Sequence, residues 1–503
     1  MDFTFPMNLS VMASVTYAAS LWERPGIKEK LVEFLRLPVD AYGELVTVES
    51  VRSEAAKEIK KDRLPAKLAS DVTEIFNSMN LRIIEWNVFF YKFELDFELE
   101  LELNFDSAQY LFWTNIGTLD QGKIIKHLLP KGNLPNEVAY YMVCAYVDLQ
   151  FVKNHSKEME CSLAFYLGLR RYSKKNLSYY YRLIACTLSF LNISVKCLES
   201  HQNWANPNNL SKEVNIFLHA VRGGLNIAVK FYWDQMTLLE QKIYLKPAAD
   251  ACINSFKNNK NIYSIPDNHV EVLVFLLNKM KNDQRYYYIQ EKSVMILSVL
   301  SLFAPWREFF SPLFKEVKNK FAAEDYFCLL EDMSKSNFLK NDLGFYEKFE
   351  EVWSSMPKDF KMKVYDSCFL YVLIEEFHLP VLKLIISDED LKDKRCDLID
   401  MGKEKFKRLA LGGKFKMLDQ FMETILISHE EKVRFKSGFG FEKNVSQEIV
   451  QSLISECKYK IAKSYLKWTY FRKEEEMEEL KNMLKLNPFL KNFQFSGRFS
   501  AFK

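Results

Sequence analysis

The sequence predicts an all-α protein, a solenoid of stacked antiparallel helix pairs, and three observations carry that expectation. Glycine and proline are scarce, 15 and 14 among 503 residues, which favours long helices joined by short turns. Apolar residues make up 48% of the chain, enough to bury a sizeable core. Near the C-terminus the sequence repeats itself, and the repeated unit has the period of an amphipathic helix.

Taken in order, residues 1–105 read as an N-terminal helical region, with helices over 9–22, 26–37, 53–61, 64–79 and 80–92. "RPG" at 24–26 and "LP" at 64–65 supply the breaks. The opening "MDFTFPMNLSVMASVTYAASLW" carries Asp2 where a secretory leader has positive charge, and Pro6 ahead of a run interrupted by polar residues. It reads as a first amphipathic helix rather than a leader. Residues 106–485 read as a degenerate helical-repeat array, its helical patterns separated by polar connectors such as "PKGNLPNE" and "NWANPNNLSKE". Residues 486–503 read as a basic, partly disordered tail.

One stretch departs from helical periodicity. From Tyr91 to Phe105 every odd position is apolar and every even position polar or charged, the period of a strand. A strand needs a partner for its row of backbone groups, and "ELVTVESV" at 44–51 is the candidate within the chain. Pairing with the same strand of a second copy would make a homodimer through 91–105. Wound as a helix, the alternation puts apolar stripes on opposite sides, which suits a helix wedged between two layers, and Leu and Glu are good helix formers. Both readings stand at this point.

The repeats fix the rest of the expectation. "FKRLALGGKFKMLDQFMETILISHEEKVRFK" from Phe406 aligns with "VQSLISECKYKIAKSYLKWTYFRKEEEMEELK" from Val450, placing Leu409 on Leu453, Lys414 on Lys458 and Phe421 on Tyr465. "LIEEFHLPVLKLIISDED" is a third copy, with Phe377 in the place of Gly413 and Val381, Leu382, Ile385 and Ile386 behind it. "AVRGGLNIAVKFYW" is a fourth, read with Gly223, Ile227, Ala228, Phe231 and Tyr232. Apolar pairs four and five, then eight and nine, residues past the marker lie on one helical face. One such helix cannot bury its stripe alone, and a stack can.

These residues resemble a degenerate ankyrin helix pair, whose pattern is A-x-x-G followed by apolar pairs at four and five and at eight and nine. "AVRGGLNIAVKFY" and "ALGGKFKMLDQFM" carry the likeness best. "TPLH" is missing and the spacing is irregular, so the resemblance implies the helix stack and not the hairpin fingers. Further segments, "FWTNIGTLDQGK" at 112–123, "FAPWREFF" at 303–310 and "FYEKFEEVWSSMPKDFK" at 345–361, are similar to divergent ankyrin-like helical-repeat proteins that form large expanded families in arachnids. That resemblance implies a helical-repeat fold from Trp22 onward and brings no activity with it.

The chemistry-bearing motifs give little. Neither a phosphate-binding glycine loop nor H-E-x-x-H, G-x-S-x-G or an EF-hand loop occurs. The seven histidines are scattered without ligand spacing; His219, just ahead of the Ala-x-x-Gly pattern, suits a bond to backbone. Nine single cysteines, mostly among apolar neighbours as in "MVCAY", "IACTL" and "FCLL", fit packed, reduced thiols and a cytoplasmic setting. No run of about 18 apolar residues occurs, so no membrane span is expected. The net charge of +3 disfavours a dedicated nucleic-acid surface.

"SYYYR" at 178–182 and "RYYYIQ" at 285–290 place tyrosines beside arginine, a combination frequent at binding hot spots. Tyr179, Tyr180, Arg182, Arg285, Tyr286 and Tyr287 are therefore the candidate partner-binding residues, with one tyrosine of each triplet expected in the core. The expected function is a non-enzymatic protein–protein interaction scaffold with an unidentified protein partner, no cofactor and no metal. The alternatives are a nucleic-acid-binding helical repeat using the basic aromatic segments "RRYSKKN" and "KEKFKR", or an enzyme whose site is dispersed along the chain.

Overall fold

The computed structural model describes residues 9–35, 46–97, 112–114, 117–129, 136–169, 177–193, 210–258, 266–301, 306–334, 343–365, 369–375, 378–394, 405–425, 449 and 452. Among them the protein is all-helical: no strand occurs, and the one bridge is an isolated antiparallel contact of Trp113 with Leu119. The chain divides into two compact units, Met1–Lys348 and Phe349–Lys503. The sequence-read boundaries near 105 and 485 both lie outside the described residues.

The first unit opens with α1 (Leu9–Leu21), α2 (Pro25–Leu35), α3 (Val46–Lys61) and α4 (Ala66–Phe97). Pro25 opens α2, where its missing N–H costs nothing. Trp22 stacks on Phe76 of α4 at 4.2 Å and faces Trp113 at 6.0 Å. Because α4 runs unbroken to Phe97, the alternating stretch is helix from Tyr91 to Phe97, and residues 98–105 lie outside the described set. Its proposed strand partner is helical too, from Val46. The helix preference of Leu, Glu and Lys overrides a period-2 pattern that has no neighbouring strand to satisfy it. A homodimer by strand pairing has no strand at 91–97 to build on.

The unit continues with α5 (Gln121–Leu128), α6 (Asn136–Ala145), α7 (Leu149–Asn154), α8 (Ser156–Leu169), α9 (Leu177–Phe190), α10 (Lys212–Arg222), α11 (Asn226–Gln235), α12 (Leu238–Asn258) and α13 (Pro266–Lys279). Then come α14 (Asn282–Glu291), α15 (Ser293–Ser301), α16 (Phe310–Val317) and α17 (Ala323–Ser334). Consecutive residues Ile216–Val221 of α10 are all buried, so this helix is enclosed on every side by α9, α11 and α12. Arg307, 4% exposed along its side chain, donates to Glu74 of α4 at 3.1 Å and ties the N-terminal helices to a segment 233 residues away.

α18 (Leu343–Ser355) spans the division between the units. The second unit holds α19 (Lys358–Tyr365), α20 (Phe369–Glu375), α21 (Leu379–Ile386), α22 (residues 405–411) and α23 (Phe415–Ile425). Phe349, Trp353, Phe369, Leu370 and Leu373 form its core.

One backbone device recurs. After α10, Gly224 sits at φ +67°, its N–H reaches Val221 O, and the Leu225 N–H reaches back five residues to Ala220 O at 3.0 Å. This is a left-handed helix stop that satisfies the last carbonyls. Gly413 (φ +68°) repeats it, with Lys414 N–H on Leu409 O. So do Asn192 (φ +57°), with Ile193 on Leu188, and Val147 (φ +62°), with Asp148 on Val143. His378 N–H bonds Leu373 O in the same register, while Phe377 before it and, Ser452 apart, the copy from Val450 lie outside the described residues.

The turn corrects one sequence register. Gly224, not Gly223, matches Gly413, so the buried pairs of α11 are Ala228–Val229 and Tyr232–Trp233, and Ile227 is 42% exposed. Starting the helix one residue later rotates its face by about 100°.

Candidate functional site

α12 and α14 together carry the main exposed apolar surface. Thr237 and Glu240 form a reciprocal capping box at the start of α12: Thr237 N–H donates to Glu240 Oε2 at 2.9 Å and Glu240 N–H to Thr237 Oγ1 at 3.3 Å. Ser211 Oγ donates to the other Glu240 oxygen at 2.6 Å, fixing this start beside that of α10. These bonds from Ser211 and Thr237 hold the Glu240 carboxyl below its usual range. The box makes Leu238 and Leu239 the first two helical residues, and they stand 85% and 67% exposed. Ile243, one turn beyond Leu239, is also exposed. Lys242 beside it is exposed.

Side chains of α14 and the residue after it reach α12. Lys246 Nζ meets Glu291 Oε2 at 2.8 Å, and Tyr288 donates to Asp250 Oδ1 at 3.0 Å. Lys292 completes the network, 3.2 Å from Glu291 and 3.9 Å from Asp250. Lys246 first, then Lys292, hold the Glu291 carboxyl below the ordinary range, while burial and then Asp250 push the Tyr288 phenol up. The opposite face of α14 presents Tyr286 and Tyr287, the latter 71% exposed, their rings edge-to-face at 5.8 Å. Lys320 lies over the Tyr286 ring at 5.8 Å and donates to Gln290. Nine large apolar or aromatic side chains are exposed among the described residues, and five of them belong to these two helices. The apolar tip of α12 and the tyrosine pair of α14 are thus two exposed apolar sites on helices joined by the ion network.

Of the sequence-predicted residues, Tyr286 and Tyr287 stand on this surface, and Tyr288 is the core member of its triplet. Arg285 is 5% exposed and bonds Asn282 Oδ1 at 2.6 Å, so it braces the start of α14 and is not offered to a partner. Tyr181 is the buried tyrosine of the other triplet and Arg182 is half-buried, whereas the side chains of Tyr179 and Tyr180, on α9, lie outside the described residues. Leu238, Leu239 and Ile243 carry no aromatic-basic signature; the signal that finds them is the capping box in "TLLE".

The other sequence candidates resolve into structure. In "KEKFKR", Lys405 and Arg408 both engage Glu375 and Phe406 is buried; "RRYSKKN" lies outside the described residues. His219 is buried, and a second histidine, His269, contacts Arg222 O at 3.0 Å. Cys144, Cys186 and Cys252 are buried free thiols, the first two pushed up to about 12 by burial. Cys161 and Cys328 are exposed, Cys328 despite its apolar neighbours Phe327 and Leu329.

Among the described residues no group of histidine, cysteine or carboxylate side chains could hold a metal ion, and no helix is long and apolar enough to cross a membrane. No protein-family model and no curated protein matches this chain.

Proposed function

We propose that this chain is a non-enzymatic scaffold for protein–protein interaction, built on stacked helix pairs of ankyrin-like kind and working in the cytoplasm. The observation that carries the reading is the concentration of exposed apolar side chains on α12 and α14, since exposed apolar clusters rimmed by polar groups mark contact surfaces. The recurrent left-handed turn at Val147, Asn192, Gly224 and Gly413 supports the repeat, and the buried free thiols of Cys144, Cys186 and Cys252 suit a reducing compartment. The partner supplies an apolar surface over Leu239 and Ile243 and an acceptor for Lys242.

The test is affinity capture of the tagged chain from its own cells, with and without nuclease, beside the variant L239E/I243E. A stoichiometric protein that survives nuclease and is lost from the folded variant supports the scaffold. A partner released by nuclease, or retained by the variant, overturns this reading of the surface.

A further inference from the structure

A second set of residues lies away from that surface, where the N-terminal helices of the first unit meet its middle. Residues 112–114 and 117–120 bond to one another, Thr114 N–H to Thr118 O at 2.8 Å and Asp120 N–H to Phe112 O at 2.7 Å. Arg82 of α4 donates to Gly117 O in this turn. Glu271 of α13 reaches the same place. Its carboxyl accepts from the Thr118 side chain and from the Asn226 amide at the start of α11.

Asn226 Oδ1 is buried and has no hydrogen-bond partner among the described residues. A buried acceptor left unmatched is costly, and the Asn226 amide already bonds the Glu271 carboxyl. A carboxylate offers only acceptors; a carboxylic acid offers one O–H donor. We propose that Glu271 is a neutral carboxylic acid in the folded chain, its hydroxyl donating to Asn226 Oδ1 while the Asn226 amide donates back, and that this pair latches α11 and α13 together in a proton-dependent way.

The charges around the group bear on this directly. Arg82 from α4 and Lys230 from α11 face Glu271 and favour its ionised form, as do the bonds from Thr118 and Asn226. Tyr146, from the turn after α6, faces both Glu271 and Asp120. Burial outweighs the cations and raises the Glu271 carboxyl above its ordinary range. The Arg82 guanidinium is already committed to Gly117 O, and Lys230 is exposed. The proton comes from water on folding and returns to it on opening.

The sign of the linkage follows. In the unfolded chain Glu271 titrates near its reference value of about 4.3, so the folded state holds the extra proton. The pair's contribution is complete below that value and fades as pH rises through the folded one.

The experiment is chemical denaturation of the full chain between about pH 5 and pH 9, for wild type and E271Q, since glutamine offers the same donor and acceptor without a titrating proton. The expected result is that E271Q withstands as much denaturant as wild type, or more, with an advantage that grows with pH. Loss of stability in E271Q at neutral pH, with wild type weakening as pH falls, would mean a carboxylate paired with Arg82 or Lys230, and overturns the proposal. Should E271Q fail to fold, infrared spectra of wild type and N226A decide. A protonated-carboxyl band at neutral pH that shifts in N226A supports the pair, and an unshifted or absent band overturns it.

Discussion

The imidazole of His269 lies so close to Gly224 that a Cβ built on the glycine would stand 2.7 Å from Nδ1. Two independent constraints therefore meet at one position. The backbone is left-handed, φ +67°, and the space is already filled by a ring that bonds the last carbonyl of α10 through Nε2.

Gly224→Ala should accordingly cost about 2–4 kcal/mol, combining left-handed strain with a clash that no flexible side-chain end can absorb. Denaturant unfolding measures it. Adding His269→Ala removes the clash and leaves the strain, so the double variant should lose less than the two single costs combined. Strict additivity would show that the ring contact is not the cause.

Val147 makes the opposite prediction. It occupies the position of Gly224 at φ +62°, where a β-branched residue is a rare outlier. Glycine there relieves about 1–2 kcal/mol of strain and gives back about 0.5–1 in unfolded-state freedom. Val147→Gly should therefore raise the denaturation midpoint, whereas Asn192→Gly, starting from a residue that tolerates this conformation, should change it little.

These turns also show what the sequence could and could not disclose. Helical content was readable from scarce glycine and proline, and the register of Gly413 and the α21 stripe, Val381, Leu382, Ile385 and Ile386, was readable from periodicity. The copies at Val147 and Asn192 were not, because the left-handed residue is not glycine and the marker disappears. Two adjacent glycines at 223–224 left a one-residue ambiguity that only the Leu225–Ala220 bond resolves. On the candidate surface, a hot-spot pattern finds Tyr286 and Tyr287, but it also selects Arg285, whose burial depends on Asn278 and Asn282 folding over it. The Asn226–Glu271 contact joins residues on two helices with no local signature.

In the second unit, Lys361 Nζ lies 2.9 Å from Asp388 and 3.0 Å from Asp390, and Asp388 also accepts the Trp353 indole N–H at 2.7 Å. Burial by itself would raise the Asp388 carboxyl; Lys361, the Asp390 N–H and Trp353 outweigh it and hold the group below its ordinary range. Lys361→Met strands a carboxylate that is 12% exposed and should cost about 3–5 kcal/mol. Since the folded value is depressed, the contribution is present above the ordinary aspartate range and lost as pH falls through the folded value. The variant's deficit should thus shrink under acid conditions, the reverse of what Glu271 predicts for the first unit. A deficit that stays constant down to about pH 3 would show that lost packing, not charge, is responsible.

The surface on α12 makes the last prediction, and it separates binding from folding. Leu239 and Ile243 are exposed, so replacing either by alanine should leave stability within about 0.5 kcal/mol of wild type. If a partner buries them, each truncation forfeits part of the roughly 1.5–3 kcal/mol that a fully buried leucine or isoleucine contributes, and affinity should fall about tenfold. Lys242→Glu reverses charge on the same face and should slow association more than it speeds dissociation, with an effect that shrinks as salt rises. Tyr287→Ala tests whether α14 belongs to the same contact. A loss comparable to that of Leu239→Ala, measured against the captured partner by calorimetry, joins the two helices into one interface. Unchanged affinity confines the contact to the tip of α12.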